Sequence, residues 1–397
     1  MSRSIWPALT LAACGLLGIT SVTTASEFVV LPPIAVGVNP LSESSGIVES
    51  RLHPGTLWTH NDSGNPGIVY GVNYSGSITA TYNFGSQNDW EDIAVGPGKN
   101  GVSSIYISDT GDNNFNREYA RIYRYAEPAT LTTSPSVIPS SQYEVAKIQY
   151  PNGPDDVEAL TVDPITGDVY LFSKGNSQFP QSSEGNSVTH VYRFDQTLFD
   201  ALPAGSYHVP EQLGNLSILS RVTSADISPD GHWLLIRSRS TTAYAYERTA
   251  GESIAEALLG TPIPFQLASE PQGEAIGWAA DGKSFFTTSE RDGSSIFQYK
   301  ISPPGDANLD ARVDGADYTV WADNFMQSGK TRAEGDFNGD GVVDGADYII
   351  WADHFAPALG AVSVVPEPST ATLLALGGLL LASLRISAVR RSVLEGR

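Results

Sequence analysis

The sequence predicts a mainly β chain, a β-propeller with six blades favoured, followed by a small α module carrying two acidic loops. Three observations point there. Short β-rich runs separated by Gly, Asn, Asp, Pro and Ser fill residues 28–300. A short acidic motif recurs through those runs, and the composition changes at Ser302-Pro303-Pro304-Gly305.

The runs include Ser104–Ser108, Arg121–Tyr125, Val169–Ser173, His190–Phe194, Trp233–Arg237 and Ser284–Thr288. Hairpin signals separate several of them: Pro164-Ile165-Thr166-Gly167-Asp168, Pro229-Asp230-Gly231-His232 and Ala280-Asp281-Gly282-Lys283, where Gly supplies the positive φ of the turn. The recurring motif is an acidic residue, a small residue or Asp, then Ile or Leu: Glu91-Asp92-Ile93, Glu158-Ala159-Leu160, a shortened Asp226-Ile227, and Glu274-Ala275-Ile276, with Ser45-Gly46-Ile47 in the first unit. A spacing of ~50 to ~70 residues suits four-stranded blades, and ~270 residues suit six of them, with five or seven also fitting. Residues Phe28–Val36 can supply the strand that closes the ring and removes exposed edges. A pair of β-sandwiches is the alternative.

A formal charge of −21 over 397 residues argues against nucleic acid as a partner and for cations as counterparts. The single cysteine, Cys14, lies in the N-terminal apolar run, so the mature chain is expected to have neither disulfide nor thiol nucleophile. Residues 1–26 have the layout of a secretory signal peptide: Arg3, an apolar run from Ala8 to Val22, then Thr23, Thr24 and Ala25. Leu11-Ala12-Ala13-Cys14 offers lipoprotein processing as the alternative.

Residues 306–317 (Asp-Ala-Asn-Leu-Asp-Ala-Arg-Val-Asp-Gly-Ala-Asp) and 336–347 (Asp-Phe-Asn-Gly-Asp-Gly-Val-Val-Asp-Gly-Ala-Asp) form a duplicate 30 residues apart. A hard cation takes oxygen ligands at alternating positions of a tight loop, and both copies provide them for Ca2+. The expected ligands are Asp306, Asn308, Asp310, the Arg312 carbonyl, Asp314 directly or through water, and Asp317; then Asp336, Asn338, Asp340, the Val342 carbonyl, Asp344 and Asp347. Each loop leads into a predicted amphipathic helix, Tyr318–Phe325 and Tyr348–Phe355, with Trp321 and Trp351 at matching places. The duplicated EF-hand-type loop and helix resemble the type I dockerin family. The resemblance implies calcium-dependent attachment to a cohesin-like or other surface protein. Two residues depart from the family pattern: Ala311 replaces the Gly of the sharp turn, which weakens the first site, and Gly315-Ala316 and Gly345-Ala346 replace the hydroxyl-rich residues that meet a cohesin. Carboxylates crowded in these loops repel one another, so the module is expected to be largely unfolded without metal. An acidic solvated linker is the alternative.

The tail reads Val365-Pro366-Glu367-Pro368-Ser369-Thr370, an apolar run from Ala371 to Leu384, then Arg385, Arg390 and Arg391. It resembles the PEP-CTERM sorting signal, which implies cleavage by an exosortase-type peptidase and release to the cell surface or extracellular matrix. The apolar run is short of the ~20 residues a spanning helix needs, so membrane contact is expected to be transient, at the inner membrane; a plain C-terminal anchor is the alternative. The expected organisation is signal peptide 1–26, propeller 27–302, dockerin-like module 303–357 and sorting signal 358–397.

A propeller gathers the starts of its inner strands at one mouth, so Glu91, Asp92, Glu158, Asp226 and Glu274 are expected to converge there. Glu43, Asn61, Asp62, Asp89, Asp109, Asp112 and Asn113 lie on nearby loops. Such carboxylates raise one another's pKa or bind a divalent cation. The layout is similar to the calcium propellers of the phytase-like esterase and SMP30-like lactonase type, which implies a calcium-dependent hydrolase; the motif acids Asp92, Glu158 and Glu274, and His60 from the polar cluster His60-Asn61-Asp62-Ser63-Gly64, are the catalytic candidates. The alternative is that these acids tie blade starts through backbone hydrogen bonds. Residues Gly277–Ser284 satisfy the P-loop expression, but Asp281-Gly282 reads as a hairpin turn rather than a helix start; neither a Gly-x-Ser-x-Gly elbow nor a His-Glu-x-x-His pair is present. The expected function is therefore a secreted or surface calcium-binding protein whose propeller binds a ligand or partner. A calcium-dependent hydrolase of phosphoesters or esters, polysaccharide breakdown, or a structural matrix role are the alternatives.

Overall fold

Residues 27–302 supply five antiparallel sheets, four built from sequential strands and the fifth joining an N-terminal strand to the last three. The computed structural model describes residues 27–355 apart from 32, 134–135, 176–187, 218–220, 292–294 and 311. The signal-peptide and sorting-signal readings lie outside these residues, as does Ala311. Among the described residues no helix is long and apolar enough to cross a membrane. The chain divides into two compact units, Met1–Pro304 with Leu309–Ala311, and Gly305–Asn308 with Arg312–Arg397.

The first unit is a five-bladed propeller. Blade 1 comprises Ser44–Glu49, Thr56–Asn61, Pro66–Asn73 and Ile78–Ser86; blade 2 comprises Trp90–Pro97, Ser103–Asp109, Ala120–Ala126 and Glu144–Ile148. Blade 3 comprises Val157–Val162, Val169–Ser173, Thr189–Phe194 and Glu211–Leu216, and blade 4 Val222–Ile227, Trp233–Ser238, Thr242–Glu247 and Ile263–Gln266. Blade 5 takes Gly273–Trp278, Ser284–Ser289 and Ser295–Ser302, and its outer strand is the N-terminal Glu27–Val30, paired Glu27 to Ser302 and Val30 to Tyr299. The first strands of the blades touch in cyclic order, blade 5 returning to blade 1. A strand from the opposite end of the chain thus covers the outward edge of Ser295–Ser302, which blade 5 would otherwise leave unpaired.

The favoured count of six blades gives way to five. Long connections, such as Ala126 to Glu144 within blade 2 and Phe194 to Glu211 within blade 3, absorb the residues a sixth sheet would need. The three hairpin signals do fall between first and second strands, with Gly167, Gly231 and Gly282 at φ 76°, 76° and 67°; the P-loop-like segment is one of these hairpins, without a helix after it.

Each seam between blades holds an apolar cluster. Trp58, Trp90 and Ile105 fill seam 1–2; Tyr106, Leu160 and Tyr192 fill seam 2–3; Phe172, Leu234 and Tyr246 fill seam 3–4. Trp278, Phe285 and Tyr299 fill seam 4–5, and Ile47, Val72 and Phe286 close seam 5–1. The inner strands are buried along their whole length, so both faces must be apolar, small or hydrogen-bonded.

In the second unit, helices Gly315–Asn324 and Gly345–His354 begin three residues earlier than their apolar pattern predicts. Asp314 and Asp344 cap them, each accepting the N–H two residues on and each answered by Asp317 or Asp347 in a capping box. The duplicate is symmetric in its bonds: Trp321 Nε1 donates to the Asp344 carbonyl at 2.8 Å, and Trp351 Nε1 to the Asp314 carbonyl at 2.9 Å.

Candidate functional site

All five inner strands slip register near their start, by one residue in four of them and by two, Glu91 and Asp92, in blade 2. Their register slips between Ser44 and Gly46, Trp90 and Ile93, Val157 and Ala159, Val222 and Ser224, and Gly273 and Ala275. A bulge re-aims a side chain at the place where pairing is interrupted. The residues at these slips include Ser45, Glu91, Glu158, Thr223 and Glu274, all buried and at equivalent places near the starts of the inner strands. Aligning the bulges corrects the sequence repeat in blade 4: the equivalent of Glu91 is Thr223, and Asp226 lies three residues deeper.

Three of these five are glutamates, and they feel one another. Burial, then the charges of Glu158, Asp62 and Asp89, push Glu91 well above the usual carboxylate range. Burial pushes Glu158 up to about 8 against the pull of Lys174, and Glu274 up to about 8 with help from Glu290 and against Arg239. Lys174, just past the second strand of blade 3, bonds Glu158 Oε1 and lies 3.9 Å from Asp156 Oδ2. Burial works against its charge, but Glu158 and Asp156 outweigh that and raise its pKa.

Beside Lys174 the mouth gathers a group with oxygen ligands only. One carboxylate oxygen from each of Asp62, Asp89 and Glu91 lies within 4.8 Å of the others, the only such group of three acidic or histidine side chains among the described residues. Burial first, then neighbouring carboxylates, push Asp62 and Asp89 up to about 6. Gly111 closes this cradle: a Cβ there would come 1.9 Å from Glu91 Oε1 and 2.5 Å from Asp89 Oδ2. Three hard oxygen donors within 4.8 Å of one another fit Ca2+ or Mg2+, with remaining ligands from solvent or substrate.

Asp92 and Asp226 sit below the mouth and do different work. Asp92 Oδ2 accepts from Leu160 N at 3.0 Å and Ala225 N at 3.2 Å, and Oδ1 from Ile93 N at 2.9 Å and Ser224 Oγ at 3.1 Å. It therefore joins blades 2, 3 and 4 across the axis. Asp226 accepts from Trp278 N at 2.7 Å and from Ile227 N at 3.0 Å, joining blade 4 to blade 5. His60 is a core residue: its ring meets Trp90 edge-on, Nδ1 bonds the Asn61 carbonyl, and burial lowers its pKa to about 4. Its Nε2 faces the Asp92 backbone without completing a hydrogen bond. Of the loop residues singled out in the sequence, Asp109 pairs with Arg117 and Arg121, Asp112 caps Asn116 and Arg117, and Asn61 bonds Glu43 N and the Pro40 carbonyl.

In the second unit the loop carboxylates are spread along backbone N–H groups. Asp317 accepts from Ala307, Asn308 and Asp314, and Asp347 repeats this with Phe337, Asn338 and Asp344 at 2.7, 3.0 and 2.8 Å. Asp336 accepts from Gly339 and Gly341, Asn338 from Asp340, and Asp340 from Val342. Asp306, Asp317, Asp336 and Asp347 are buried.

No family profile and no curated protein sequence matches the chain. A solved structure described as a gluconolactonase from Xanthomonas campestris overlaps it at TM-score 0.38 and 11% identity, covering 67% of this chain and 88% of that one. At that overlap nothing of its chemistry transfers.

Lys174, Asp156 and Gly111 were not among the residues read from the sequence. The run Asp155-Asp156-Val157-Glu158 before a buried strand was the available signal for the first two; Gly111 had none beyond its loop.

The buried acids make stability depend on pH. Glu158, Glu274 and Asp226, raised to about 8, 8 and 6, bind protons more tightly in the folded chain than at the unfolded value of ~4, so their destabilising contribution grows as pH rises through those values. His60, lowered to about 4, acts oppositely and costs stability below ~6.5. In chelator the propeller should therefore melt several degrees higher at pH 6.5 than at pH 8.5, as read by circular dichroism. A flat or reversed profile would show these acids ionise freely.

Proposed function

We propose that the propeller mouth is a calcium-dependent hydrolytic site for phosphoesters or esters, on an exported protein whose C-terminal module attaches it calcium-dependently outside the cell. The observation that carries this reading is the convergence of Asp62, Asp89 and Glu91 beside Glu158, Glu274 and Lys174. The trio would hold the cation, which when bound polarises a phosphoryl or carbonyl oxygen. Lys174 keeps its charge at the mouth and attracts an anionic oxygen. Glu158 and Glu274 hold protons near neutral pH and can deliver one to a departing alkoxide. Asp92, saturated by four donors, is left to hold the ring.

For the second unit, the paired loops and capped helices support a calcium-folded attachment module with Asp306, Asn308, Asp310, Arg312, Asp314 and Asp317, and Asp336, Asn338, Asp340, Val342, Asp344 and Asp347, as ligands. Export, exosortase processing and surface or matrix release are part of the same proposal.

The test is a screen of the purified chain against phosphomonoesters, phosphodiesters, carboxylic esters and lactones, with calcium and with chelator. Calcium-dependent turnover that falls at least ~100-fold in Glu158→Gln is expected. Calcium binding at the mouth without turnover of any substrate would leave a ligand-binding propeller instead.

A further inference from the structure

Lys174 meets an excess of carboxylates at the mouth. Its backbone is fixed on both sides: Lys174 N donates to the Asp156 carbonyl at 2.8 Å, and its own carbonyl accepts Val222 N, at the start of blade 4, at 3.2 Å. From this root the side chain, 14% exposed, bonds Glu158 Oε1 and stops 3.9 Å from Asp156 Oδ2.

The two carboxylates it meets are not equally served. Asp156 is 1% exposed; its Oδ1 accepts Asp112 N at 2.8 Å, while its Oδ2 is buried with no hydrogen-bond partner among the described residues. At 3.9 Å the ammonium attracts Oδ2 without bonding it. A buried carboxylate oxygen held this way needs a positive charge close by. Among the described residues Lys174 is the only cation within ion-pair distance of Asp156 or Glu158.

The charge of Lys174 also acts on Asp62 and Glu91 of the cradle, and on Glu274 and Glu290. The neighbouring cations are committed elsewhere, Arg239 to Glu274 and Arg117 to Asp109 and the Gly111 carbonyl. Beside a trio that fits a divalent ion there is thus a pair of buried carboxylates that already holds a cation of the protein's own. An ammonium is a compact point charge with no fixed ligand geometry, so it neutralises two oxygens where a calcium ion takes about six to eight. We propose that Lys174 is a built-in second cation of the mouth: between Asp156 and Glu158 its ammonium occupies the place of a second divalent ion, so the mouth takes up one such ion and not two. The proposal rests on the cradle reading for the first ion only; the place held by Lys174 is independent of it.

The experiment counts the calcium ions bound by the full chain in equilibrium dialysis at neutral pH, and follows melting by circular dichroism in calcium, in chelator, and in sodium chloride of matched ionic strength. Ions held by the second unit are common to every variant and cancel in the differences. Lys174→Ala leaves two buried carboxylates without a counter-charge, so in chelator it should melt well below the parent. Calcium, and not sodium, should restore it, with one ion bound more than in the parent. Lys174→Arg, which keeps the charge, should bind the parent's number. Adding Glu158→Gln to Lys174→Ala removes a ligand of the new place, so the count should return to the parent's and the chain should melt closer to the parent in chelator. An unchanged count in Lys174→Ala, a Lys174→Ala chain that calcium does not restore, or an extra ion that survives Glu158→Gln would overturn the proposal. Asp89→Asn tests the cradle separately: at a calcium concentration that just fills the parent it should lower the count by one, whether or not Lys174→Ala raises it.

Discussion

Replacing Asp92 by Ala should unfold the propeller at temperatures where the parent is fully native. The variant removes the acceptor for Leu160 N, Ala225 N and Ile93 N at once, leaving buried donors on blades 2, 3 and 4 facing a void, while the Ser224 hydroxyl keeps the Ile276 carbonyl. Each buried donor left without a partner costs ~1–3 kcal/mol, so a loss on the order of 4 kcal/mol or more is expected. That corresponds to a fall in melting temperature of ~8–16 °C for a unit of this size. Asp92→Asn should fall between parent and alanine, since its amide oxygen can still serve two donors while its NH2 faces Ile93 N or Ser224. Ser224 bonds the Ile276 carbonyl at 3.1 Å and accepts from Ile276 N at 3.0 Å, carrying the tie on to blade 5. Thermal melts of the two variants with calcium present decide the matter: an alanine variant within ~1 kcal/mol of the parent would mean the axis is held by packing alone.

Much of this arrangement was legible from residue order, and the parts that were not have physical reasons. Hairpin glycines mark strand ends because positive φ is a local demand, so the three turns at Thr166-Gly167, Asp230-Gly231 and Asp281-Gly282 fall where expected. The acidic motif marks inner strands because a bulge followed by buried apolar residues leaves a one-residue signature. Blade count depends instead on how much chain the loops consume, which no local rule sets, and so five sheets stand where six were favoured. Blade 4 misled for the same reason: Thr223 at its bulge is not acidic, while Asp226, deeper in the strand, is. Distinguishing Glu91 from Asp92 needed three dimensions. They are adjacent in sequence, but one faces like charges at the mouth and the other faces donors from four other residues. The cation cradle joins blade 1, through Asp62, to the loop and first strand of blade 2, through Asp89 and Glu91, and its shape depends on a glycine whose only mark is the absence of a side chain.

Glu91→Gln and Asp89→Asn should have effects of opposite sign on affinity and on stability. Each removes a charged oxygen from the cradle, so calcium affinity at the mouth should fall at least ~100-fold, and calcium-dependent turnover with it. Each also relieves repulsion among Asp62, Asp89, Glu91 and Glu158, the charges that push these groups above the ordinary carboxylate range. In chelator the variants should therefore melt above the parent, by several degrees for buried Glu91 and less for the more exposed Asp89. Calcium should then stabilise the parent strongly and the variants hardly at all, because only a ligand that binds the folded state shifts its melting. Calorimetry should separate this event from the loops of the second unit: Asp336→Asn with Asp347→Asn should abolish calcium uptake at the loop of residues 336–347 while leaving turnover at the mouth unchanged. A Glu91→Gln chain that melts below the parent in chelator, yet binds calcium at the mouth as tightly, would show that this carboxylate is held by hydrogen bonds in a neutral form, and that the cation, if it binds at all, takes its oxygens from elsewhere.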